Sequence, residues 1–221
     1  MRQYSVLNMT DGERTALLMF AMTLQLMSYL AWDAWVYYQP DYHGFVNLPI
    51  ISLKIQVILV SILLCVGLTF LAWRQTRTKR FSRVLMLLAV WFYVFDMLIM
   101  GWFSGLLTMA LGVVLAGATF VGVLLLPPRV VLLAAAFAIV MIVAMGVATI
   151  YFELPYAPIF QPLIIGHDAA YARFYFLSQF YFSIPYLLAI VLSAHLFLRD
   201  WRQRESIFKY TSERDGLTQL F

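Results

Sequence analysis

Six long stretches of this chain carry scarcely a charge, and that recurrence leaves few folds open. A helix crossing the hydrocarbon of a bilayer needs about 20 mostly apolar residues. It must also satisfy its own backbone groups, because lipid offers no hydrogen bonds. The stretches run over residues 15–37, 51–73, 84–103, 106–126, 130–152 and 174–198. Hydrophobic residues make up 63% and charged residues 12% of the chain, whereas a soluble domain is about a quarter charged. The expected fold is therefore an all-α integral membrane protein, a bundle of six transmembrane helices filling residues 1–198. Gly101-Trp102-Phe103-Ser104-Gly105 alone divides the third stretch from the fourth, which predicts a very tight turn there. The first stretch carries Asp11, Glu13 and Gln25 without a small-residue cleavage site, and reads as a retained helix rather than a signal peptide. Cys65 is the single cysteine, so the chain forms no internal disulfide, and it lies in an apolar run.

Basic residues set the expected orientation, since they gather on the cytoplasmic side of a membrane. Arg2 and Arg14 precede the first helix. Arg74, Arg77, Lys79, Arg80 and Arg83 follow the second, and Arg129 follows the fourth. Arg199, Arg202, Arg204, Lys209 and Arg214 follow the sixth. With six alternating helices all of these share one side, leaving Lys54 and Arg173 for the other. Both termini are thus expected in the cytoplasm. The net charge of +4 follows from this bias and implies a lipid bilayer, not nucleic acid, as partner.

Two segments are expected on the outer side, residues 38–49 and 153–173. The second holds Pro155, Pro158 and Pro162, which disfavour helix. It is also rich in Tyr, Phe, Leu and Ile, unlike a disordered linker. A cap folded back on the bundle is predicted. Within the bundle, Gly112 with Ala116, Ala118 with Gly122, Ala134 with Ala138, and Ala144 with Ala148 place small residues four apart. Such spacing lets helix backbones approach closely, and the short Pro127-Pro128 connection predicts an antiparallel hairpin of helices four and five.

Asp33 and Asp96 stand out, because a carboxylate inside a membrane helix usually faces protein or water and marks a functional position. Both are expected at similar depth, under the outer segments. Trp32, Trp91, Tyr93 and Tyr181 are expected at the same level. Two readings follow: a shared outward-facing ligand pocket walled by aromatics, or an aromatic belt at the membrane interface. His43, two residues after Asp41, and His167, beside Asp168, are the weak candidates for a metal site, although their spacing matches no ligand signature.

Beyond Leu198 no Gly or Pro interrupts the chain until Gly216. Residues 199–214 are expected to extend the sixth helix as a cytoplasmic stalk. Phe197, Trp201, Arg204, Phe208 and Thr211 fall at heptad spacing, a seam suited to a parallel dimer. Pro185 sits in the middle of the sixth helix, where it would act as a hinge or a static kink.

The chain ends Asp215-Gly216-Leu217-Thr218-Gln219-Leu220-Phe221. This resembles the opening of a diguanylate cyclase (GGDEF) domain, which typically begins Asp-x-Leu-Thr-x-Leu. Asp215, Leu217, Thr218 and Leu220 occupy the matching places, and Gln219 stands where the family usually has Gly. The resemblance implies that residues 215–221 begin a catalytic domain that would continue past Phe221. That domain would join two GTP molecules into cyclic di-GMP with Mg²⁺, as a homodimer, at a bacterial inner membrane. It places no catalytic residue and no cofactor in residues 1–221. On this reading the membrane region is a sensory and dimerisation module, with Pro185, Trp201 and Phe208 passing a signal from an outer ligand. A small-molecule transporter or channel, and a passive anchor without a ligand, are the alternatives.

Overall fold

The computed structural model describes residues 9–74, 79–105, 108–152, 154–161 and 169–218. Among them lie six α-helices: α1 (Asp11–Tyr38), α2 (Leu48–Arg74), α3 (Lys79–Ser104), α4 (Met109–Leu125), α5 (Pro128–Tyr151) and α6 (Ala169–Thr218). A 3₁₀ turn, Pro40–Tyr42, links α1 to α2. Helix α1 opens on a capping box. Thr10 accepts a hydrogen bond from the Glu13 N–H, and the Glu13 carboxylate accepts one from the Thr10 N–H. These bonds satisfy amide groups that a helix start otherwise leaves unpaired.

Five helices, α1, α2, α3, α5 and the first half of α6, are long and apolar enough to cross a membrane. The chain thus has the make-up of a multi-pass membrane protein. Helix α4, with 17 residues, falls short, at about 25 Å. It nonetheless runs from one end of the bundle to the other. Helix α3 ends, and α5 also ends, at the end where the loops gather, so α4 must carry the chain back between them.

The expected turn between the third and fourth helices is displaced. Residues 101–104 complete the last turn of α3, and the break falls at Gly105, whose φ is +113°. Only a residue without Cβ adopts this conformation cheaply, and a Cβ there would lie 2.7 Å from Thr108 Cγ2. The sixth helix also starts earlier than predicted, at Ala169, which puts Arg173 on the helix rather than in a loop.

Helices α1 and α2 form the most extensive pair, α3 leans on α1, α5 spans α3 and α4, and α4 packs on α6. Of the predicted small-residue stripes, Ala118, Gly122, Ala134 and Ala138 meet along the α4–α5 hairpin, where a Cβ on Gly122 would lie 2.9 Å from Val131 Cγ1. Gly112 faces open space instead. Helix α4 approaches α6 closely at Gly117, a position outside those stripes, whose Cβ would lie 2.9 Å from Ile190 Cδ1. The outward sides are apolar: Leu63 and Val66 on α2 and Leu133, Val140 and Val143 on α5 are exposed. Such large exposed apolar faces are what lipid covers.

The described portion of the second loop segment folds back as a cap. Val46 and Phe160 form an antiparallel bridge. Around it, the Asn47 N–H donates to the Ile159 carbonyl (2.9 Å) and the Gln161 N–H to the Phe45 carbonyl (3.0 Å). The Tyr171 hydroxyl donates to the Gln161 carbonyl (2.9 Å), tying the cap to α6. Helix α1 starts, and α6 finishes, at the opposite end of the bundle. There also lie Arg14, Arg74, Arg83, Arg129 and Arg199.

Gly105→Ala is expected to destabilise the protein by about 1–2 kcal/mol, the cost of a left-handed L-residue. A lower melting temperature of the purified protein, with helix content retained, is the outcome that checks it.

Candidate functional site

Two buried polar pairs lie under the cap, and α2 contributes to both. Asp33 on α1 meets Lys54 on α2, with Nζ to Oδ1 at 2.9 Å and both side chains at 0% exposure. Asp96 on α3 accepts a hydrogen bond from the Ser61 hydroxyl of α2 at 2.6 Å. A buried ion pair of this kind has to offset the desolvation of both charges. Some of the compensation comes from aromatic faces, which attract a cation through their quadrupole. The Lys54 ammonium lies 4.9 Å from the ring centroid of Phe182, 5.5 Å from Trp32 and 5.6 Å from Tyr29. Asp33 Oδ2 has no hydrogen-bond partner among the described residues.

The rings holding Lys54 belong to a larger cluster beneath the cap. Trp32 packs edge-on against Phe182 (4.9 Å) and stacks on Phe174 (6.0 Å), which stacks in turn on Tyr42 (4.9 Å). Between α1, the 3₁₀ turn and α6 the cluster opens into a groove of about 520 Å³, with Trp32, Phe174 and Arg173 among its lining residues. Tyr181 borders the same groove and holds α1, donating from its hydroxyl to the Ser28 carbonyl at 2.9 Å.

Asp96 faces a different space. A cavity of about 30 Å³ lies among α1, α3, α4 and α6, and Gln25, Tyr29, Tyr93, Asp96, Ser104, Thr108 and Tyr186 are its polar lining residues. The Gln25 side-chain amide donates to the Tyr29 hydroxyl at 3.3 Å. Asp33 does not line this cavity.

The structure thus separates what the sequence places in one pocket. Lys54 and Ser61, the partners of the two aspartates, stand seven residues apart on α2, about 10 Å along a helix. Asp33 and Asp96 therefore meet α2 at different turns, while Tyr29 and Phe182 belong both to the rings around Lys54 and to the lining of the Asp96 cavity. Trp32 and Asp33 sit at the ion pair, Tyr181 borders the groove, and Tyr93 lines the Asp96 cavity. Trp91 faces elsewhere, packing edge-on against Phe137 of α5 at 5.1 Å. His43 Nε2 lies 3.0 Å from the Tyr37 carbonyl. His167 lies outside the described residues, and among those described no three His, Cys, Asp or Glu side chains gather for a metal. Helix α6 continues through Pro185, which borders a lateral groove of about 330 Å³ between α1, α4 and α6. The side chains of Trp201 and Phe208 lie outside the described residues.

Lys54 lies toward the cap, away from the arginines, as its sequence position implies, but its burial and its pairing with Asp33 are what sequence reasoning misses. A signal for its pairing is present. Asp33 lies five residues before the end of α1 and Lys54 six residues after the start of α2, so an antiparallel hairpin brings them level. Ser61, Gln25, Tyr29 and Tyr186 carry no such signal, because their roles depend on how distant helices are rotated. No protein-family model matches this chain, and comparison with curated proteins and with solved structures likewise gives no match.

Removing Lys54 alone (Lys54→Met) strands Asp33 in a dry site and is expected to destabilise by about 3–5 kcal/mol. Adding Asp33→Leu should restore most of that loss. Thermal unfolding of the two single variants and the double variant, read as a cycle, checks both expectations.

Proposed function

We propose that this chain is the membrane sensory and dimerisation region governing a C-terminal diguanylate cyclase, with its arginine-rich end in the cytoplasm of a bacterium. The observation that supports this reading is α6. It is a single helix from Ala169 to Thr218, 50 residues and about 75 Å long. Its first half presents Phe174 to the aromatic cluster, Phe182 to the Lys54 ammonium and Tyr186 to the Asp96 cavity. Its last residues are Asp215-Gly216-Leu217-Thr218, which carry the likeness to the cyclase opening. A rearrangement among the buried pairs thus has a continuous backbone along which to reach a catalytic domain.

Regulation in this scheme is a population shift, in which an outer ligand or lipid state favours one α6 geometry over another. Pro185 lacks an N–H, so the Tyr181 carbonyl one turn earlier loses its helical partner. The Tyr181 side chain meanwhile bonds α1. The weakest backbone turn of α6 and its polar link to α1 therefore coincide, which suits a hinge. Trp201 and Phe208 would form the seam between two copies of the stalk. GTP and Mg²⁺ would be held by the catalytic domain, to which this chain contributes only the opening residues.

The full-length protein in lipid nanodiscs, given GTP and Mg²⁺, is expected to make cyclic di-GMP. A folded dimer that makes none removes the reading. Within an active protein, a seven-residue helical insertion after Gln203 keeps the heptad phase and should preserve synthesis. A four-residue insertion, which shifts that phase, should lower synthesis severalfold. Equal activity of the two insertions would show that the stalk transmits nothing.

A further inference from the structure

The described residues of the bundle bury two carboxylates but only one ammonium. Asp33 has Lys54, whereas the hydrogen bond given to Asp96 comes from the neutral Ser61 hydroxyl. A carboxylate removed from water without a cation is costly, and ionisable groups within membrane spans characteristically mark ion pathways or water-filled cavities. Asp96 is 5% exposed, and what it borders is the cavity of about 30 Å³. A single water needs roughly 10–15 Å³ of such space, so the cavity admits one or two bodies of that size.

The chemistry of the wall narrows the occupant. Tyr29, Tyr93, Tyr186, Ser104 and Thr108 offer hydroxyl groups and Gln25 an amide, while Asp96 is the one charged lining residue. Oxygen ligands select hard cations over soft ones. With no second carboxylate in the wall, a divalent ion would leave excess charge in the membrane interior, whereas a monovalent ion balances Asp96 to neutrality. We infer that the cavity beside Asp96 binds one alkali-metal cation, with the Asp96 carboxylate as its charged ligand and the surrounding tyrosine hydroxyls and Gln25 amide as neutral ones. The ligands come from α1, α3 and α6, so occupancy ties α6 to its neighbours beside the aromatic cluster. The site stands on the bundle alone and is independent of the cyclase reading.

The test is thermal unfolding of the full-length protein in nanodiscs, with NaCl or KCl replacing choline chloride at fixed ionic strength and pH. A ligand that binds only the folded state raises its stability in a saturable way. The melting temperature should rise with one of the alkali salts, and the rise should vanish in Asp96→Asn. Tyr93→Phe and Tyr186→Phe should each move half-saturation severalfold higher while melting near the wild type in choline. A flat wild-type titration overturns the inference, as does a rise that survives Asp96→Asn. A melting temperature that follows pH and ignores both salts overturns it too, by making a proton the occupant. Should Asp96→Asn fail to fold, the two tyrosine variants decide, and unchanged half-saturation in both is fatal. Because the readout is unfolding, neither failure nor success depends on cyclic di-GMP synthesis.

Discussion

An ammonium and a carboxylate closed off from solvent at 2.9 Å give this bundle its reference point. Apolar helices in lipid gain little from one register over another, because lipid tails are as apolar as the side chains they replace. Lys54 and Asp33 remove that indifference. Sliding α2 by one turn would pull the ammonium away from the carboxylate inside hydrocarbon, where neither finds water. The three rings around Lys54 extend the constraint to α6 through Phe182. One contact therefore sets α1 against α2 and locates α6 relative to both.

Above that level the cap repeats the logic with backbone groups. Its loops exchange hydrogen bonds around the Val46–Phe160 bridge, and the end of α3 joins them where the Phe103 carbonyl accepts from the Ile159 N–H at 3.3 Å. Gln179 of α6 adds a further tie, donating to the Ser104 carbonyl at 3.2 Å. The cavity around Asp96, whose lining runs from Gln25 to Ser104 and Thr108 near the cap, supplies a second polar layer. The bundle is thus organised in tiers, with α6 represented in each.

The sequence reads well where a rule is local. Apolar length and charge placement mark the helices, and the prolines and aromatics of residues 154–161 mark a segment that folds onto the bundle. Gly101 to Gly105 misleads because a glycine reads as a break, yet Gly101 sits inside α3 to admit Leu111, whose Cδ1 would lie 2.8 Å from a Cβ there. The candidate site is only partly legible. Asp33 and Asp96 announce themselves by their cost, but which partner each finds depends on helix rotation. Lys54, read as a topological charge, belongs to the core. Trp91 looks equivalent to Trp32 in composition, and only the rotation of α3 sends it toward Phe137.

Helix α4 has a physical consequence of its own. Its 17 residues, Met109–Leu125, cover about 25 Å of helix axis against a hydrocarbon layer of roughly 30 Å. Where α4 faces lipid, the bilayer must thin or flanking groups must reach out, at a fraction of a kcal/mol per ångström of mismatch. The same helix rests on α6 at Gly117, with no room for a Cβ between it and Ile190. Membrane thickness therefore bears on the seating of α6 through that contact, and a thicker or thinner lipid environment loads the bundle unevenly from this side.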